Sequence, residues 1–194
     1  MYEYLKGSIK ELNPSYVVIE TNGVGWFLNI SVYTYSKLKE GQETKIFLHH
    51  VVREDAEILF GFYDNKERDI FRLLITVNGV GANTARTMLS TLPPDEVVAA
   101  IQTDNVSQLK SVKGIGLKTA QRIIVDLRDK ITEKTQDADN KIIPQSNTIQ
   151  NEAFEALVML GFSKKQIDKA LNKVMTQNPD ADVETLVKTT LKRL

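Results

Sequence analysis

Two short glycine pairs carry the chemistry that this chain spells out twice. Asn78-Gly79-Val80-Gly81 and Lys113-Gly114-Ile115-Gly116 stand 35 positions apart, counting Gly79 to Gly114. Each follows a short apolar segment and opens at once into an amphipathic helical pattern, so the pair is an internal repeat. Glycine-apolar-glycine between two helices lets the backbone turn with positive φ and strips side chains from the approaching surface. The next helix then begins with free amide N–H groups and the positive end of its dipole outward, which binds an anion without any charged residue. Val80 and Ile115, between the glycines, are expected to point inward and pin each turn. Past the second pair, Lys118 and Thr119 can reach the same phosphate, with Arg122 one helical turn further on. Past the first pair stand Asn83, which can donate a hydrogen bond but carries no charge, and Arg86, expected to compensate for it.

This chemistry is binding rather than turnover. A nucleotide-hydrolase phosphate loop needs a longer span before its Gly-Lys-Thr than Gly114-Ile115-Gly116-Leu117-Lys118-Thr119 provides, and a dinucleotide fingerprint wants a third glycine where Thr84 and Thr119 stand. Two such turns from one continuous segment can pack about a pseudo-twofold axis. Each can then hold one strand of a duplex across the minor groove. Backbone contacts of that kind carry no sequence information, so the expectation is shape-dependent, salt-sensitive binding.

Other polar clusters read more plainly. His49 and His50 are adjacent in a strand pattern, point to opposite faces and cannot share a metal. Asp180, Asp182 and Glu184 sit at a helix start, where acids cap. Glu54-Asp55 forms an exposed acidic turn, which on composition alone is a solvated tip. No metal or cofactor site is expected.

The elements that must position these residues fall into three groups. Residues 1–63 read as β-structure: Tyr2–Leu12, Tyr16–Thr21, Val24–Ile30, Lys45–Val52 and Glu57–Tyr63, with Asn22-Gly23 a strong hairpin signal. Five short strands in so small a span favour a closed OB-type barrel. Residues 64–131 read as helices. Asp64 and Glu67 have a capping-box layout, Pro93-Pro94 opens a helix, Asp104 is placed to cap a short one, and the last runs from Leu117 to about Ile131. Residues 132–148 are polar and aperiodic and read as a flexible linker. Residues 149–194 read as three helices. Ala153, Ala156, Leu157 and Leu160 share one face, Ser163 to Gln166 forms another capping box, and Asp182 caps the last helix. The fold class is α+β and multidomain.

Composition bounds the rest. The 194 residues hold no cysteine, which excludes disulfides and thiolate metal sites. No apolar run is long enough to span a bilayer and the opening residues lack a signal pattern, so the chain is expected to be cytoplasmic, with no membrane partner. Basic and acidic residues balance at 25 each. Their distribution is uneven: residues 65–130 carry 10 basic against 7 acidic, and the first 64 carry 6 against 9. The glycine repeat thus lies in the net-positive third.

The tandem motif resembles the helix-hairpin-helix DNA-binding class. Taken with the small β-barrel, the hairpin Val51-Val52-Arg53-Glu54-Asp55-Ala56, the polar segment and the three-helix tail, the whole chain resembles the RuvA family of bacterial Holliday-junction-recognition proteins. That resemblance implies a homotetramer, alone or as two tetramers on one junction, which matches the four arms of the junction. Each subunit's hairpins would hold an arm. Glu54 and Asp55 would project at the centre as an acidic pin, within a Debye length of about 8–10 Å of converging phosphates. A UBA-like three-helix domain would recruit the RuvB ATPase, with Met159, Leu160 and Phe162 as contact surface, and the RuvC resolvase would join the larger complex. The subunit itself would be non-catalytic, with ATP used by the motor, in recombination and DNA repair. The family often carries a basic residue where Ala82-Asn83 stand, so the second hairpin is expected to dominate affinity. The competing reading is a helix-hairpin-helix repair enzyme, a nuclease or glycosylase.

Overall fold

The structure, a computed structural model, describes residues 2–139, 145–178 and 181–194, with side chains described outside 133–148. The chain forms two compact units, Met1–Thr135 and Gln136–Leu194.

The first unit begins with a closed five-stranded barrel, β1 (Tyr4–Asn13), β2 (Tyr16–Thr21), β3 (Val24–Asn29), β4 (Glu43–Val52) and β5 (Glu57–Phe62), paired in the order β1-β2-β3-β5-β4. Asn22 and Gly23 both take positive φ, 51° and 80°, the type I′ geometry whose twist matches the strands it joins. Alternate residues turn inward: Ile9, Val17, Ile19, Leu28, Ile46 and Leu48 are buried in one cluster. β1 pairs with β2 from Ser8 to Asn13, with a register shift between Ile9 and Glu11, and with β4 from Tyr4 to Ser8. The barrel closes where β3 meets β5 in a parallel bridge, Asn29 with Phe60.

One barrel element escapes the sequence reading. Helix α1 (Val32–Lys37) lies between β3 and β4, capped by Ser31, whose hydroxyl accepts from Thr34 N–H at 3.0 Å. With its hydrophobic residues spread over both strand-like and helical periods, so short a helix leaves little pattern.

Five further helices follow: α2 (Asn65–Leu74), α3 (Ala82–Thr91), α4 (Pro94–Gln102), α5 (Val106–Lys110) and α6 (Leu117–Asp139), whose last residues run past Thr135. Their core is continuous with the barrel through Phe71 of α2, whose ring centre lies 5.2 Å from Phe60 and 4.9 Å from Phe62. A buried polar joint locks the two parts together. Glu67 of α2, fully buried, accepts from the Ser31 and Thr34 hydroxyls of the barrel side. Burial pushes its carboxyl up to about 7, against the pull of those donors. Arg68 pairs with Glu3 and donates to Asn65 Oδ1 at 2.8 Å.

Several expected caps are rearranged. Asp64 caps α2 through Glu67 N–H at 2.8 Å. The Glu67 side chain, however, leaves the capping box for the buried joint and accepts from the Tyr63 amide at 3.4 Å. Asp104 does not cap α5; Asn105 does, accepting from Gln108 N–H at 3.1 Å. Asp104 sits at φ 54° in the turn, and its carboxylate takes both oxygens to Arg128 Nη1 at 2.7 and 3.0 Å. Helix α6 continues through Asp139 where the sequence reading places a linker from residue 132. Thr132 to Asp139 include good helix formers (Glu, Lys, Gln, Ala), and a long helix that is already nucleated can continue without an apolar repeat in the sequence. Residues 140–144 of that expected linker lie outside the described residues.

The second unit holds α7 (Gln145–Met159), α8 (Lys164–Gln177) and α9 (Val183–Leu191) around Ala153, Leu157, Ile167, Leu171, Val174 and Leu186. Asp182 caps α9 through Thr185 N–H at 2.9 Å, as expected. Ser163 does not form its capping box: its hydroxyl donates to the Gln166 side chain at 2.5 Å instead of accepting an amide. Leu160 is exposed rather than part of the core face, because Gly161 ends the helix at φ 95° and turns the chain away just beyond it.

Candidate nucleic-acid interface

The two glycine pairs fold into the same turn. In the first, Val77 N–H reaches Leu74 O at 3.1 Å and Val80 N–H reaches Val77 O at 3.0 Å. In the second, Val112 reaches Leu109 at 3.3 Å and Ile115 reaches Val112 at 3.1 Å. Gly79 and Gly114 both adopt φ 92°, a region that costs any side chain strain. Gly81 and Gly116 then cap α3 and α6, accepting from Ala85 and Ala120 N–H at 2.9 Å each. A cap glycine has no side chain to occupy the first-turn amides, and a Cβ placed on either would meet nothing within 4 Å. The approach to both helix starts is bare backbone.

The repeat extends into the core at the same 35-residue offset. Leu74 and Leu109, Val77 and Val112, Val80 and Ile115, Ala85 and Ala120, Met88 and Ile123, Leu89 and Ile124, and Leu92 and Leu127 are all buried in one cluster. Val80 and Ile115 do point inward, at 4% and 5% exposure. One core therefore fixes both turns.

Outside that core the two halves differ in charge. Lys113 and Lys118 are exposed in the second hairpin; Asn78 and Asn83 are exposed at the equivalent positions of the first, and Thr119 is half-buried. Two arginines have partners within the protein. Arg86 does not stand free to compensate for Asn83: its Nη1 donates to Ser15 O at 3.0 Å and Asn29 Oδ1 at 3.2 Å, fastening α3 to the barrel. Arg122 is exposed, and its Nη1 donates to Asn78 O of the first hairpin at 3.3 Å. The offset already held this distinction, since 122 minus 35 is 87: the counterpart of Arg122 is Thr87, not Arg86.

The other candidates fall in three places. Arg53 N–H closes the β4–β5 turn on Ala56 O at 2.9 Å, leaving Glu54 and Asp55 exposed at its tip with no cation partner among the described residues. His49 and His50 do point apart, His49 toward Phe71 and His50 toward Tyr2, each with ring centres 5.3 Å away. Burial, then Arg72 and Arg68, pulls His49 below the usual imidazole range. In the second unit, Met159 and Leu160 are 88% and 59% exposed, while Phe162 is half-buried against the core. Among the described residues no helix is long and apolar enough to cross a membrane, and Asp180 lies outside them.

Paired amide-lined turns on one core, set beside an OB-type barrel, define a helix-hairpin-helix protein of the DNA-backbone-binding class. Family comparison agrees segment by segment. Residues 1–61 match the RuvA N-terminal domain, 71–129 the SAM-like helix-hairpin-helix tandem, and 148–194 the RuvA C-terminal domain. Among relatives similar to it over the whole of both chains are proteins named Holliday junction branch migration complex subunit RuvA. They come from Christiangramia forsetii (46% identical), Bacteroides fragilis (47%) and Flavobacterium psychrophilum (45%). The chain belongs to the RuvA family.

Proposed function

We propose that this chain binds four-way DNA junctions by shape, without reading sequence, and serves as the non-catalytic subunit of a branch-migration complex. The observation that carries the reading is the pair of equivalent hairpins, whose bare amides face out from one shared core. Each hairpin takes a phosphate strand through the first amides of α3 or α6, with Lys113, Lys118 and Thr119 adding to the second and Asn78 and Asn83 to the first. Glu54 and Asp55 act as the pin: like charge disfavours a duplex running straight past the tip, which selects crossed strands at some cost in affinity. The names of the relatives and the exposed Met159 and Leu160 support a motor partner, an ATPase of the RuvB type, docking on the second unit. Assembly as a homotetramer, with RuvC in the larger complex, completes the proposal; neither ATP nor metal is held by this subunit.

The test is a gel shift with a synthetic four-way junction against a linear duplex of equal length, with Mg²⁺ present. The expected result is a strong preference for the junction and no cleavage. Equal binding to both would refute the reading, and Mg²⁺-dependent cutting would establish the nuclease alternative, which no observation favours. Light scattering of the free protein checks the fourfold assembly.

A further inference from the structure

Arg122 has the position of a phosphate ligand and the bonding of a structural brace. It stands one helical turn past Lys118, at the basic end of the second hairpin, yet its guanidinium crosses to the first hairpin and donates to the Asn78 carbonyl at 3.3 Å. That carbonyl belongs to the peptide that ends in Gly79 N–H, and Gly79 is the residue at φ 92° on which the first turn depends. The reciprocal donor would come from residue 87. Thr87 is too short to cross, and its hydroxyl donates to Asn83 O of its own helix at 2.9 Å. Arg86, the nearest other cation on that helix, is held by the barrel. Among the described residues, the side-chain hydrogen bond that joins the two exposed turns above their shared core is therefore the one from Arg122.

We infer that Arg122 is a positioning residue: it sets the separation of the two anion-binding turns, so that both meet the strands of one duplex arm at once, and does not itself hold a phosphate. This rests on the proposed junction binding. The cationic donor that reaches this carbonyl ties the exposed first turn to α6. Two sites that must be filled together lose their joint advantage when their spacing drifts. A phosphate ligand would leave a different mark, because each cation that neutralises a phosphate adds about 0.9 to the slope of log K against log salt.

The experiment compares full-length wild type, Arg122→Met and Lys118→Met. Junction binding is measured from low to moderate salt, and the Gly79 amide is followed by NMR in glycine-labelled protein without DNA. Arg122→Met is expected to weaken binding about tenfold at every salt concentration with the wild-type slope, and to shift the Gly79 amide signal in the free protein. Lys118→Met is expected to flatten the slope by about 0.9 and leave Gly79 where it was. The inference fails if Arg122→Met flattens the slope as Lys118→Met does, or if the Gly79 signal stays in place. Wild type that does not bind junctions would instead sink the proposed function, and the Gly79 signal would still report on the brace.

Discussion

At the scale of single residues, the two glycines of each pair do different work and predict different losses. Gly79 and Gly114 sit at φ 92°, so alanine there strains the backbone and is expected to cost about 1–2 kcal/mol of stability. Gly81 has ordinary φ, −82°, and open space around it. Gly81→Ala is expected to change the urea midpoint little while weakening junction binding, because its methyl would stand where the proposed binding brings a phosphate to the first amides of α3. Equal destabilisation by Gly79→Ala and Gly81→Ala would contradict that division.

Glu67 makes the second residue-scale prediction. Its folded pKa is raised from 4.5 to about 7, so the folded state holds the proton more tightly than the unfolded chain. Its contribution is fully present below about pH 4.5 and is lost as pH rises through 7, the reverse of a salt-bridged carboxylate. Urea unfolding of the wild type should therefore weaken between pH 5 and pH 8. Glu67→Gln should flatten that profile and lie below wild type even at pH 5. Ser31 and Thr34 already accept backbone amides through their oxygens and need an acceptor for their protons, which the glutamine N–H₂ cannot be.

At the scale of elements, the caps separate what sequence can say from what it cannot. Asp182 and Ser163 stand in equally good cap patterns, yet only Asp182 accepts a backbone amide. Asp182→Ala is expected to lower the thermal unfolding midpoint of the second unit, and Ser163→Ala to lower it by less than half as much. The sequence shows which residues are able to cap. It does not show which competitor takes their oxygen, as Arg128 takes Asp104 and the buried joint takes Glu67. The hairpins were legible because glycine spacing and core spacing repeat together. The arginines were not, because their reach decides their partner. Between the hairpins, equivalent backbones with unequal charge predict unequal behaviour: Lys118→Ala should flatten the salt dependence of junction binding, and Asn83→Ala should lower affinity with the slope intact.

At the scale of the molecule, strand alternation and the Asn-Gly turn made the barrel readable, while α1 was too short to register and α6 outran its apolar stripe. The two units have separate cores. A chain ending at Asp139 is therefore expected to keep junction binding and lose stimulation by the motor, checked by gel shift and by a branch-migration assay.

The barrel's closure has a consequence for how the molecule opens. Long antiparallel ladders hold four of its seams, but β3 and β5 meet at the single bridge of Asn29 with Phe60. Arg86 grips Asn29 from outside, so the helix that begins at the first hairpin also clasps the weakest seam of the barrel. Unzipping of the barrel and slackening of the first hairpin are therefore expected to occur together. Arg86→Ala should speed deuterium uptake at the end of β3 and at Gly79–Gly81 together, leaving the β1–β2 ladder slow.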